Sequence, residues 1–373
     1  MRELLKLKRK WILLLIPAEL IIIFLCRTWS FIAEYVFGRV VYRCLSIIIG
    51  AVTRWFPFSV AEIIIYTVPV IVVTIFVMFV RKVIISKGRR KMVWAKAALN
   101  VLCFVSAASF MFVVLCGTNY YRYSFMEYVD YEVTEYDKED LYKLCVYLAE
   151  KVNESRRNIS AENEDGTSKL SYESYGQFFD TAEDIMSEFS KNYSSMKWCT
   201  GSAKPVLASK YMSYADTVGI FIPFTMEANV NIDTVPYNQP SDTLHELSHL
   251  RGIMREDEAN YVSYLACVSS GEPDFVYSGY MMAYIYATNK LYDEDYEMYG
   301  EVRSRLSDDV LADLRANSLY WKQFDTPVGN KISSVSAQVN DAYLNINGQK
   351  EGTKSYGMVV DLLLAEYKSR FGQ

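Results

Sequence analysis

The 373-residue chain has 39 Lys and Arg against 44 Asp and Glu, a net charge of −5, which argues against a nucleic acid as partner. The total hides two materials: residues 1–116 hold 16 basic and 4 acidic side chains, the remainder 23 and 40. Apolar runs are confined to the basic part, which excludes a wholly water-soluble chain and reads as a membrane module, 1–121, joined to a domain, 122–373, long enough to bury its own core.

Three apolar runs, at about 11–27, 61–81 and 97–119, are each near the roughly 20 residues a helix needs to cross the hydrocarbon layer. The first is the shortest and carries Glu19. Its main competitor is a removed signal peptide, but no small-x-small cleavage site follows. Glu19 reads as a carboxyl group facing another span, with an intramembrane functional site as the alternative. Residues 29–59 are mixed in character, and "CLSIIIGAV" is too short to cross, so an interfacial or re-entrant segment is expected there. Lys and Arg crowd the N-terminus and the link between the second and third runs. Both should be cytoplasmic by the positive-inside rule, so three crossings place everything after about residue 120 outside a bacterial cytoplasmic membrane.

Beyond the spans, a tyrosine-rich connector leads to helical spacing at Leu141, Leu144, Leu148 and Val152. A polar stretch, 158–174, reads as an exposed loop, and helical spacing returns over 175–193. Three short strands are expected at 205–209, 218–224 and 228–233. From Asp242 the pattern is helical almost to the end, with breaks at 271–273, 326–329 and 347–353. The layout is α+β and mostly helical, with a small antiparallel sheet. Of seven cysteines four lie in or beside the spans, leaving Cys145, Cys199 and Cys267 in the outer part with no CxxC spacing and room for one disulfide at most.

The chain's only two histidines form His245-Glu246-Leu247-Ser248-His249. On a helix the two imidazoles project from one face and can bind one Zn²⁺, with Glu246 beside them to take a proton from the attacking water. The bland alternative is a capping box, Thr243-x-x-Glu246, in which the glutamate only satisfies helix-end amides. Gly252 is well placed to end the helix in a left-handed conformation, and a second helical pattern starts at Arg255. On it Glu256 and Asn260 share a face. Glu256 is the natural third ligand, with Glu258 as the alternative, and Asn260 can hydrogen-bond a ligand histidine. With no third histidine, the transition-state oxyanion must be met by the metal and a tyrosine, arginine or amide, for which Tyr280 and Tyr356 are conceivable.

"HELSH" followed by "EDEAN" resembles the gluzincin metallopeptidases, whose second signature maps its ligand onto Glu256 and its outer partner onto Asn260. Only six residues separate His249 from Glu256, closer than in most gluzincins. HxxG with a ligand soon after is similar to metzincins, although Arg255 stands where their third histidine would be. Over nearly the whole chain, the three spans with "FPFSVAEII", "FTMEANVN", "HELSHLRGIMREDEAN" and "VNDAYLNINGQ" resemble an uncharacterised group of bacterial membrane proteins, domain-of-unknown-function family 3810. The resemblances imply an envelope protein with a zincin-like outer domain. The strand before the histidine helix would then be an edge for an extended peptide. Glu227 and Asn229 within it faintly resemble the aminopeptidase motif that binds a free amino terminus.

The expectation is therefore a membrane-anchored zinc metallopeptidase or amide hydrolase acting on a peptide or cell-wall substrate, with Glu246 as base and then acid. The alternative is a non-catalytic envelope protein with a structural or vestigial metal site. Because 123 residues separate Tyr121 from His245, the site is expected well outside the bilayer.

Overall fold

Apolar runs of some twenty residues can satisfy their backbone in lipid only as helix, and helices occupy those positions. The computed structural model describes residues 8–197, 200–347, 349 and 356–372. Its first helices are α1 (Leu15–Thr28, entered through a 3₁₀ stretch, Lys8–Leu14), α2 (Ile32–Thr53, π-helical over Ile32–Tyr42), α3 (Val60–Ile85) and α4 (Arg90–Leu115). Among the described residues four helices, α1 with its 3₁₀ entry included, are long and apolar enough to cross a membrane. The additional one is α2, which falls on the mixed stretch at 29–59.

α1 and α4 run side by side in the same direction: Cys103 Sγ lies 3.3 Å from Arg9 O, and Ser106 donates to Ile12 O and Ser109 to Glu19 Oε1, both at 2.9 Å. Glu19 thus faces a neighbouring helix, as the bland reading of it requires. α2 is held along its whole length by residues from the C-terminal part of the chain. Near its start Arg122 forks onto Glu34 (2.8 and 3.2 Å), and at its middle Tyr42 donates to Leu250 O at 2.8 Å. Near its end Gly50 packs so closely that a Cβ would stand 2.5 Å from Thr200 O.

The rest of the chain comprises α5 (Lys138–Arg156), α6 (Tyr175–Ser190), β1 (Ser202–Pro205), α7 (Ser209–Tyr214), β2 (Gly219–Ile222) and β3 (Glu227–Val230). There follow α8 (Gln239–Leu250), α9 (Glu256–Ser269), α10 (Pro273–Glu294), α11 (Tyr296–Arg303), α12 (Asp308–Lys322), α13 (Pro327–Ile346) and α14 (Tyr356–Phe371). Asp137 and Ser174 cap α5 and α6 by accepting from Asp140 N and Gln177 N. Two helix starts inside the region read as continuously helical are set the same way, by Asp295 and Ser307. The 158–174 loop is tied down by the buried Arg156. That guanidinium reaches Asp313, Glu162 and Gly166 O, each at 2.9 Å, while Asp313 also accepts from Tyr277 and Ser168, both at 2.7 Å.

The sheet is mixed, not antiparallel as expected. Its order is β1-β3-β2, with β3 antiparallel to β2 and parallel to β1. A short turn through Met226 (φ 51°) folds β2 onto β3 as a hairpin, whereas β1 is connected through α7 and pairs on the far side of β3. One apolar core runs from Tyr42, Leu115 and Cys116 through α5, α6, β3, α8, α9 and α10 to α14, across the expected division at residue 121. Cys145 and Cys267 are buried free thiols; Cys199 lies outside the described residues.

Candidate metal centre

α8 begins at Gln239 with a proline in its first turn, four residues before the expected cap. Thr243 is therefore inside the helix, its hydroxyl donating to Gln239 O at 2.7 Å, and the capping-box reading is set aside. The helix ends where Gly252, at φ +87°, turns left-handed, with Ile253 N–H returning to Ser248 O at 3.1 Å. A side chain at 252 would also collide with Arg122, whose Nη1 is 2.4 Å from the Cβ position. The turn sends the chain into α9, which packs back along α8.

This clamp brings three donors together. His245 Nε2 is 3.3 Å from one Glu256 oxygen and His249 Nε2 is 3.7 Å from the other; among the described residues, ligand atoms of these three lie within 4.8 Å of one another. His249 Nδ1 is 2.7 Å from Ile253 O. A carbonyl can only accept, so the proton sits on Nδ1 and the lone pair of Nε2 faces the group. The expected outer partner of a ligand histidine, Asn260, is buried on α9, but for His249 that place is taken by the Ile253 carbonyl. Glu258 is not part of the group: its Oε1 accepts from Ser124 at 2.8 Å and Arg255 at 2.7 Å. Two imidazoles and a carboxylate fit a zinc ion.

Electrostatics follow from burial and this convergence. Burial works against charge on His245, but the adjacent Glu256 carboxylate outweighs it and holds the imidazole up to about 9. His249 falls to about 4 through burial, and Glu256 is brought down to about 2, burial being outweighed by the two histidines. Glu246 is pushed up to about 8 by burial and accepts a hydrogen bond from the Phe221 amide. β2 lies directly on Glu246: a Cβ at Gly219 would stand 2.5 Å from its Cγ and Oε1, so only glycine fits.

Residue Asp242, which sequence reasoning passed over, belongs here too. Burial pushes it up to about 7, and His245 is the charge that opposes this. Asp242 Oδ2, His245 Nδ1 and Glu246 Oε2 are all buried without a hydrogen-bond partner. The available signal was its i, i+3 spacing to His245 on one helix face.

Other expected residues lie elsewhere. Glu227, fully buried on the central strand, accepts from Val60 N at 3.0 Å and Ala61 N at 2.9 Å. Asn229 accepts from Ser59 Oγ at 2.5 Å. Together they cap α3, so the carboxylate imagined to hold a substrate's amino terminus holds a helix N-terminus instead. Tyr280 packs against Tyr264, and the side chain of Tyr356 lies outside the described residues. The phenols whose electrostatics couple to Glu256 are Tyr120 and Tyr343, joined at 3.1 Å, with Cys116 Sγ 3.4 Å from the Tyr343 hydroxyl.

Nor is the centre remote from the N-terminal helices. Cys116, the residue closing α4, is 3.8 Å from Met254 Sδ, two residues before Glu256. Tyr42 of α2 reaches the carbonyls of His249 (3.3 Å) and Leu250. The chain thus returns to α2 and to the end of α4 across the 123 residues that separate Tyr121 from His245.

Residues 37–364 match the family described as "Protein of unknown function (DUF3810)". The chain belongs to this family. The matched region takes in α3, the sheet, both helices of the clamp and α13, and so every residue of the candidate centre. No curated protein and no solved structure matches the chain.

Proposed function

We propose that the chain is a membrane-anchored, zinc-dependent hydrolase of peptide or related amide bonds, working outside the cytoplasmic membrane. His245, His249 and Glu256 are the ligands and Glu246 is the general base. One observation carries this: a three-donor group stands beside a glutamate whose Oε2 is buried with no hydrogen-bond partner. Leaving a carboxylate so exposed to desolvation costs free energy, which is tolerated where the group has chemistry to do.

Zinc, when bound, would lower the pKa of a water molecule and polarise a carbonyl. Glu246 takes the proton of the attacking water and delivers it to the leaving nitrogen, acting as general base and then general acid. The Phe221 amide holds that carboxylate in place. β2 is an edge strand, so an extended peptide can add alongside it and present its carbonyl to the centre. The basic N-terminus and the basic link between α3 and α4 support a cytoplasmic location for both. With α2 lying on the domain, α1, α3 and α4 are the crossings.

Metal analysis of the full chain purified in detergent, with Glu246→Gln beside wild type in a peptide-library assay, tests the reading. The expected result is about one zinc per chain in both, with cleavage lost only in the variant. No zinc would sink site and mechanism together; zinc without cleavage by wild type would favour an envelope protein with a structural metal.

A further inference from the structure

Two helices beside the centre leave apolar side chains uncovered. α2 turns Ala33, Glu34, Gly38, Tyr42, Ser46 and Gly50 toward the protein, a small and largely polar set. Its outward face carries Tyr35, Val36, Val40, Ile48 and Val52. α13 repeats the pattern: Gly329 and Leu344 are buried and Ser333 and Ser336 half-buried, whereas Val328, Ile332, Val335, Val339 and Ile346 form an exposed stripe at helical spacing. On α13 the stripe stands beside exposed Lys331, Gln338 and Asn345, the pattern of a helix at a boundary between water and an apolar medium.

Both helices lie at the level where the spanning helices meet the domain. α2 connects the end of α1 to the start of α3. The ring of Tyr343, in the last turn of α13, is 6.1 Å from that of Phe112 in the last turn of α4. α13 also packs on α7, and just before α7 the Leu207 and Ala208 amides donate to Glu62 in the first turn of α3, both at 2.9 Å. The metal centre is in the same layer, bonded to α2 through Tyr42 and touching the end of α4 through Met254 and Cys116.

We propose that α2 and α13 bed their outward faces in the interfacial layer of the bilayer, holding the metal centre at the membrane surface, and that its substrate is a membrane-anchored peptide or amide. The lipid surface is the occupant because both apolar faces continue directly from helices that are themselves lipid-facing, with exposed Ile63, Ile64 and Phe104. The substrate class rests on the hydrolase reading; the docking surface does not.

The test uses the full chain in lipid nanodiscs, with a photoreactive diazirine side chain placed in turn at Ile48, Val52, Val335 and Val339, and at Gln338 on the polar face of α13. Phospholipid adducts are expected at the four apolar positions and water adducts at Gln338. Cross-links to a second copy, or water adducts throughout, overturn the docking surface. In the same nanodiscs an acylated peptide library should be cleaved about a hundredfold faster than the unacylated one, because anchoring raises effective concentration. Equal rates overturn the substrate class. Lipid adducts with neither library cleaved overturn the hydrolase reading, and the substrate class with it, while leaving the docking surface standing.

Discussion

Two sets of buried charge in this fold are treated in opposite ways. Glu34 and Glu227 have every carboxylate oxygen engaged, the first by Arg39 and Arg122 and the second by two helix-end amides. Glu246 and Asp242 each keep a buried oxygen without a partner, and His245 a buried nitrogen. A chain able to satisfy the first pair so fully has left the second open beside a converging donor group. On the proposed reading, that difference separates charges that join elements from charges kept for chemistry.

The comparison breaks most directly at Glu246. Glu246→Gln should cost roughly 10²–10⁴-fold in cleavage rate, the usual contribution of a general base, with zinc content and thermal midpoint unchanged; loss of zinc would instead make it a ligand. On the satisfied side, Arg122→Met leaves the buried Glu34 with Arg39 as its remaining charge partner and its Oε2 unengaged, and should destabilise the fold by about 1–3 kcal/mol, read as thermal unfolding in detergent. Adding Glu34→Leu should recover most of that loss, and no recovery would mean that Arg122 matters through Gly252 and Ser195 instead.

A smaller effect is expected at Asp242→Asn, which should weaken zinc binding by roughly 10–100-fold in a chelator competition with little change in stability. A large fall in stability would move Asp242 to the structural set. Smallest is Asp140→Asn at the surface pair with Lys368, 2.7 Å apart, worth about 0.2–1 kcal/mol. The hydrogen bond from Lys368 holds Asp140 below the usual carboxylate range. Its contribution is present above the unfolded-state pKa and fades as pH falls through the folded one, so wild type and variant should converge in acid.

Much of the centre was legible because its residues are local in sequence. His245, Glu246, His249, Gly252 and Glu256 span twelve positions, and helical periodicity together with the reversal at Gly252 puts them within reach of one another. The choice between Glu256 and Glu258 needed Ser124 and Arg255, which hold Glu258 elsewhere. Glu227 was misjudged for the same reason, since its partners Val60 and Ala61 precede it by more than 160 residues. The 3₁₀ entry to α1 and the π-helical half of α2 carried no periodic signal to read.

By itself the sequence determined that the chain has apolar helices, a mostly helical remainder with a small sheet, and a two-histidine helix ending at Gly252. Each follows from composition or short-range spacing, because backbone hydrogen bonding and side-chain periodicity act over a few residues. Tertiary structure alone decided that β1 pairs parallel to β3, that Glu227 caps α3, and that the centre lies against the middle of α2 and the end of α4. Those outcomes depend on which distant surfaces bury one another, a matter of shape and partner that no local spacing encodes.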